Sequence, residues 1–253
     1  VTTEDRETPA DDVGPGDSRS SSSRRHRLRW WHELLVVAVV ALVAAVLVKT
    51  FLIQPFYIPS ESMEPGLVED DRILVEKSSY WFGSPQRGDV VVFADPGGWL
   101  EDTGGDVGTL SSALSRLGLQ PTGGHLVKRV IGTAGDTIVC CDEEGHLEVN
   151  GEIVIEPYAR PDADGCYGPM LVGSGCAWSA GPVPDGQVFV MGDNRAHSAD
   201  SSYRLCLPAA VGCEPDPYVD VDLVVGKLAA VVWPLGRLDL GGGTDVFLEV
   251  PAP

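Results

Sequence analysis

Phe56-Tyr57-Ile58-Pro59-Ser60-Glu61-Ser62-Met63-Glu64-Pro65 divides this chain into an apolar run before it and short β-rich runs after it. Each proline fixes its own φ and biases the preceding residue towards extended backbone. The segment therefore reads as a stiff, non-helical loop that holds Ser62 in one orientation. A serine presented in this way, a few residues past an apolar span, is a candidate nucleophile at a membrane surface. The plainer alternative is a juxtamembrane linker with incidental serines.

Upstream, residues 1–23 are rich in Ser, Asp, Glu, Gly and Pro, which cannot build a core. With the arginines that follow they make a disordered tail over residues 1–29. Arg24, Arg25, Arg27 and Arg29 lead into Trp30-Trp31 and an unbroken apolar run from Leu34 to Val48. Residues 30–53 give about 36 Å of helix at about 1.5 Å per residue, enough to cross a bilayer core of about 30 Å. The arginines precede the span, so positive-inside bias puts the N-terminus in the cytoplasm and residues 54–253 outside. No small-x-small cleavage site follows the span, which favours an uncleaved anchor over a secretion signal.

The net charge is −19, with six Arg against seven Asp and Glu in residues 1–33, so nearly all of the excess falls on the remainder. Neutralising phosphates requires clustered Lys and Arg, which argues against a nucleic-acid partner. The 6 cysteines all follow the span and fit an oxidising compartment. Cys206 and Cys213, separated by a stretch with Pro208 and Gly212, form a candidate local disulfide. Cys140, Cys141, Cys166 and Cys176 leave three connectivities open. No Cys-x-x-Cys pair supports zinc.

Beyond the serine loop, β-rich runs occur at 72–75, 89–93, 126–131, 137–140, 146–149, 153–155, 187–191, 219–225 and 227–232. Asn150-Gly151 is a two-residue hairpin signal. Residues 94–125 are Gly-rich and read as a flexible insertion with one weak helical patch, Leu110–Leu119. The expectation is a mainly β, antiparallel domain preceded by a single transmembrane helix.

A serine nucleophile needs a base. Lys128 lies in an apolar strand with Arg129 on the opposite face, so one of the two must point inward. Burial disfavours the charged ammonium and lowers its pKa, making such a lysine a general base near neutral pH. The plainer reading is an exposed strand edge. The turn Gly192-Asp193-Asn194-Arg195-Ala196-His197-Ser198-Ala199-Asp200-Ser201 is dense in polar groups. It offers His197 as an alternative base for Ser62, or simply a polar turn with an Asp193–Arg195 salt bridge.

Together these stretches resemble the bacterial type I signal peptidase family, the peptidase S26-like, membrane-bound Ser/Lys endopeptidases of protein secretion. The shared motifs are collinear. A single span is followed by Ile-Pro-Ser-x-Ser-Met-x-Pro (58–65), Arg-Gly-Asp-Val-Val-Val-Phe (87–93) and Val-Lys-Arg-Val-Ile-Gly-x-x-Gly-Asp (127–136). Gly-Asp-Asn-Arg-x-x-Ser-x-Asp-Ser (192–201) and Val-Gly-Lys (225–227) complete the series. The resemblance implies Ser62 as nucleophile and Lys128 as general base. Ser60 and the Ser62 N–H would form the oxyanion hole, Ser198 would orient the lysine amine, and Asp200, Asp193 and Arg195 would support the loop. It further implies an antiparallel β catalytic domain with a small inserted β subdomain, placed at 142–186, and no metal or organic cofactor. Implied partners are preprotein signal peptides with small residues at −1 and −3, membrane lipid and the nearby secretion translocon. The implied location is the bacterial plasma membrane.

Three departures from the family pattern stand out. Ser202 stands where Arg usually follows Asp-Ser, which removes an expected salt bridge to Asp193 or Asp200. Thr133-Ala134 replaces x-Pro, and Gly66 replaces a frequent Thr. Two rivals are weighed. Self-cleaving repressors share a Ser/Lys dyad but are soluble and carry a DNA-binding half. A non-catalytic, membrane-anchored β domain that binds exported chains would keep its function without Ser62 or Lys128.

Overall fold

The computed structural model describes residues 22–100, 124–169, 175–206, 216–241 and 243–253. The tail to residue 21, most of the 94–125 insertion with its Leu110–Leu119 patch, and Cys213 lie outside the described residues. The chain divides into two units, Val1–Leu47 and Val48–Pro253.

In the first unit lies most of the helix α1 (Ser22–Phe51). Its stretch Trp30–Val48, 19 residues, is long and apolar enough to cross a membrane, and from Leu34 to Val48 it is apolar all round, which suits a lipid-facing helix. Ile53, counted with the span on sequence grounds, instead opens the first strand. Pro55 disfavours helix at the residue before it, and Ile53 pairs with Glu76.

Among the described residues eleven strands follow: β1 (Ile53–Tyr57), β2 (Arg72–Glu76), β3 (Val90–Ala94), β4 (His125–Gly132), β5 (Ile138–Cys140), β6 (Leu147–Val149), β7 (Glu152–Val154), β8 (Trp178–Ala180), β9 (Gln187–Met191), β10 (Tyr218–Asp220) and β11 (Val224–Trp233). They form a seven-stranded sheet in the order β1-β2-β11-β3-β4-β9-β10 and a four-stranded sheet in the order β7-β6-β5-β8. Every ladder is antiparallel. Pro55, which has no N–H to donate, sits on the edge strand β1, where a missing donor costs least.

The run Val90-Val91-Val92-Phe93 is buried throughout. Val90 and Val92 pack with Phe56, Ile58, Met63 and Ile73, whereas Val91 and Phe93 pack with Leu126, Val130, Val188 and Val190. The large sheet is therefore covered on both faces at its centre. Alternation requires one of Lys128 and Arg129 to point inward, and with both faces covered the two are buried together, at 4% and 7% exposure. A third cluster joins Ile131, Phe189 and Met191 of the large sheet to Ile138, Leu147 and Val149 of the small one.

The small sheet runs from Ile138 to Ala180, beginning ahead of residue 142. Asn150 and Gly151, at φ 53 and 84, make the turn between β6 and β7, as the two-residue hairpin signal predicts. Cys140 is bonded to Cys141 and Cys166 to Cys176. Cys206 is also disulfide-bonded.

Candidate active site

Ser62 sits in a 3₁₀ turn, Glu61–Met63, that follows the extended residue Ser60. Ile58 and Met63 bury their side chains in the core on either side of it. The loop is stapled to the turn before β2, since Ile58 N donates to Asp71 O (2.9 Å) and Asp70 N to Ile58 O (3.0 Å). Below Ser62, Asn194 N donates to the Ser62 carbonyl (3.1 Å) and Asn194 Nδ2 to the Glu61 carbonyl (3.1 Å). The serine's backbone is thus held from two distant parts of the chain.

β4 brings Lys128 to this serine. Its Nζ lies 2.7 Å from Ser62 Oγ, with both groups buried. Burial pushes the ammonium down from 10.5 to about 8, against the opposing pull of Asp200 and Asp193. When the amine is neutral, the serine hydroxyl can donate to its lone pair, which is the arrangement a general base requires. Ser60 Oγ lies 3.4 Å from Ser62 Oγ on the solvent side, within reach of an oxygen bound to the same carbon as Ser62 Oγ.

Ser198 is 1% exposed, but its hydroxyl has no hydrogen-bond partner. The expected bond from Ser198 to the lysine amine is therefore not formed; the amine bonds to Ser62 Oγ. Gly192 makes room for this crowding. A Cβ there would fall 2.3 Å from Ser198 Oγ and 2.4 Å from Ser62 O.

Asp200 closes the loop on itself, accepting from Gly192 N (2.8 Å) and Ser202 N (3.0 Å). The Ser202 hydroxyl donates to Asp200 Oδ1 (2.7 Å), so Asp200 has a side-chain partner at the position where the sequence predicts a lost salt bridge. Asp193 does not pair with Arg195. It accepts a bidentate contact from Arg129 at 2.8 and 2.7 Å. Arg195, wholly buried, pairs with Glu156 at 2.7 Å and donates to the carbonyls of Gly192 and Tyr167. Tyr158 lies over the Arg129 guanidinium at 3.9 Å and donates to Glu156. Glu156, Tyr158 and the chain near Arg160 thus brace the Gly192–Ser202 loop from the region leading out of β7. Sequence reasoning missed these partners. The one usable signal was Glu156 itself, an acid directly after an apolar run.

His197 does not approach the serine hydroxyl as a base. Its Nδ1 lies 2.6 Å from Glu61 Oε1, and both side chains are more than half exposed. The sulfurs of Cys140, Cys141, Cys166 and Cys176 lie within 4.8 Å of one another. As two disulfides they do not offer the thiolates that a zinc site needs.

Residues 31–233 match the family described as signal peptidase, peptidase S26. A protein named probable signal peptidase I from Mycobacterium leprae is 40% identical over 237 residues, covering 85% of this chain and 80% of that protein. Signal peptidase I of Mycobacterium tuberculosis (strain H37Rv) is 41% identical over 246 residues, covering 88% and 80%. A crystal structure of a signal peptidase I from Enterococcus faecalis aligns with a TM-score of 0.34 at 23% identity, covering 58% of this chain and 97% of that one.

Proposed function

This chain belongs to the signal peptidase family, peptidase S26, and we propose that it removes signal peptides from exported preproteins with a Ser62/Lys128 dyad. The observation that carries the reading is the 2.7 Å approach of a buried lysine amine, held near 8, to a serine oxygen. A base of pKa about 8 is neutral in roughly one molecule in ten at pH 7, against roughly one in three thousand for an ordinary lysine at 10.5.

In this mechanism neutral Lys128 takes the Ser62 proton as Oγ attacks the scissile carbonyl. The oxyanion is stabilised by the Ser62 N–H and the Ser60 hydroxyl. The Lys128 ammonium then returns its proton to the departing amine, leaving an ester on Ser62. Water, deprotonated by the same lysine, hydrolyses the ester and restores the serine. Asp193, Arg195 and Asp200 hold the loop, and Ser198 packs against Gly192 close to the Ser62 backbone. The chemistry needs no metal or organic cofactor.

The substrate has a natural seat. Among the described residues β9 pairs with β4 only from Arg129 onward and β1 pairs only with β2, which leaves two strand edges near the serine for a peptide to join. Phe56 and His125 face each other from these edges with ring centroids 5.4 Å apart. An extended signal-peptide end would add to an edge by backbone hydrogen bonds, with small residues at −1 and −3 under these bulky walls. The protein is membrane-anchored through α1. We place its N-terminus in the cytoplasm and its β domain outside, against lipid and close to the translocon.

The test is cleavage of a preprotein with an Ala-x-Ala site, in detergent, by wild type, Ser62→Ala, Lys128→Ala and His197→Ala. The first two substitutions are expected to lower kcat/KM by at least about a thousandfold, while His197→Ala still cleaves. Wild-type activity is expected to rise with pH through about 8, as the amine loses its proton. Loss with His197→Ala but not with Lys128→Ala would replace the dyad by a histidine mechanism.

A further inference from the structure

A cavity of about 410 Å³ opens beside the nucleophile, lined by Glu61, Arg160, Pro161, Asp162, Asn194 and His197, among others. It is built into the site rather than laid on the surface. Glu61 precedes Ser62, and Asn194 donates to the carbonyls of both Glu61 and Ser62. Arg160 is locked to the same loop by a backbone bridge to Asn194, with Arg160 N donating to Asp193 O (2.7 Å) and Arg195 N to Arg160 O (3.0 Å).

If the signal-peptide side of the substrate follows the β1 and β4 edges, the other side of the scissile bond leaves Ser62 towards this cavity. The charges lining it are unequally engaged. Glu61 faces His197 at 2.6 Å. Asp162 Oδ1 accepts from the backbone of Asp164 (3.0 Å) and Cys166 (2.8 Å). Arg160 reaches Glu64 only at 3.7 Å, beyond hydrogen-bond distance, and its side chain is 64% exposed. Among these side chains the Arg160 guanidinium makes no hydrogen bond of ordinary length, and its fork suits a carboxylate.

We propose that this cavity is the subsite for the first residues of the mature chain, and that Arg160 gives it a preference for an acidic residue there. The inference rests on the peptidase reading above. In a chain with a net charge of −19, a solvent-facing arginine beside the nucleophile would offset the repulsion that an acidic substrate residue otherwise meets.

The experiment uses the full chain in detergent. The substrates are peptides that share one Ala-x-Ala signal side and carry Asp, Ala or Lys at each of the first three positions after the cut. Wild type is expected to cleave the Asp peptide about fivefold better than the Lys peptide at one of these positions, and less so as salt is raised. Arg160→Gln is expected to bring the ratio close to one and Arg160→Glu to invert it. Glu64→Gln, which frees the guanidinium further, is expected to widen it and serves as the second variant should Arg160→Glu misfold. Cleavage by wild type with no acidic preference overturns the subsite and leaves the peptidase standing. A preference unmoved by the Arg160 variants, or variants that slow all peptides equally, overturns it too. No cleavage of any peptide would sink both readings.

Discussion

On one face of β4, Lys128 meets a neutral hydroxyl; on the other, Arg129 meets a carboxylate. Both cations are almost wholly buried, so desolvation works against both charges. For Lys128 it wins, and the ammonium falls to about 8. For Arg129 burial is again the largest influence, but hydrogen bonds to Asp193 and that aspartate's charge outweigh it, and the net shift is upward. The comparison teaches that burial alone does not make a base. A buried cation becomes one when its nearest polar neighbour carries no charge, and it becomes a structural tie when that neighbour is an anion.

The comparison is broken most directly at Arg129. Replacing it by Met leaves Asp193 buried without its cation, and removing one partner of a buried pair costs about 3–5 kcal/mol. Urea unfolding of Arg129→Met in detergent is expected to show a loss of that order. Arg129→Lys is expected to recover only part of it, because an ammonium cannot make the bidentate contact. A loss under about 1 kcal/mol for Arg129→Met would mean that Asp193 finds a different partner.

The opposite outcome is expected at Lys128. A lysine held at about 8 in the fold and at 10.5 when unfolded disfavours the folded state wherever both are protonated. Below about pH 8 the cost is about 3 kcal/mol. Between about 8 and 10.5 the unfolded chain binds more protons, so wild-type stability is expected to rise with pH across that window. Lys128→Met, inactive under the proposed mechanism, is expected to be more stable than wild type at pH 7 and to lose the pH-dependent rise. Equal stability of the two proteins at pH 7 would show that the buried amine carries no such penalty.

This asymmetry also marks what the sequence could convey. The strand carrying Lys128, the serine loop and the polar turn each announced themselves through local pattern: alternation, paired prolines and a run of turn residues. The fold class and the Asn150-Gly151 hairpin were legible for the same reason. The partners of the charges were not. Asp193 was read with Arg195, two residues away, but in the fold it pairs with Arg129 and Arg195 pairs with Glu156. Sheet closure decides those contacts across long sequence separations, and nothing local encodes them. Alternation likewise assigned Lys128 and Arg129 to opposite faces without saying that both faces are covered.

Ser202 provides the finest adjustment of the comparison. Asp200 is one of the two anions that pull the Lys128 pKa upward, against burial, and its own carboxylate is held by two backbone N–H groups and the Ser202 hydroxyl. An arginine at 202 would neutralise Asp200 and weaken that pull; a serine leaves the anion's charge in place. Removing the hydroxyl in Ser202→Ala deletes one hydrogen bond to a charged group while both backbone donors remain, a loss of about 1–2 kcal/mol in stability. The pH at which activity rises should hardly move, because the charge on Asp200 is unchanged. Ser202→Arg tests the electrostatic half of the argument: where the larger side chain is accommodated, the inflection should shift below about 8. An inflection that moved upward would show that Asp200 does not act on the lysine through its charge.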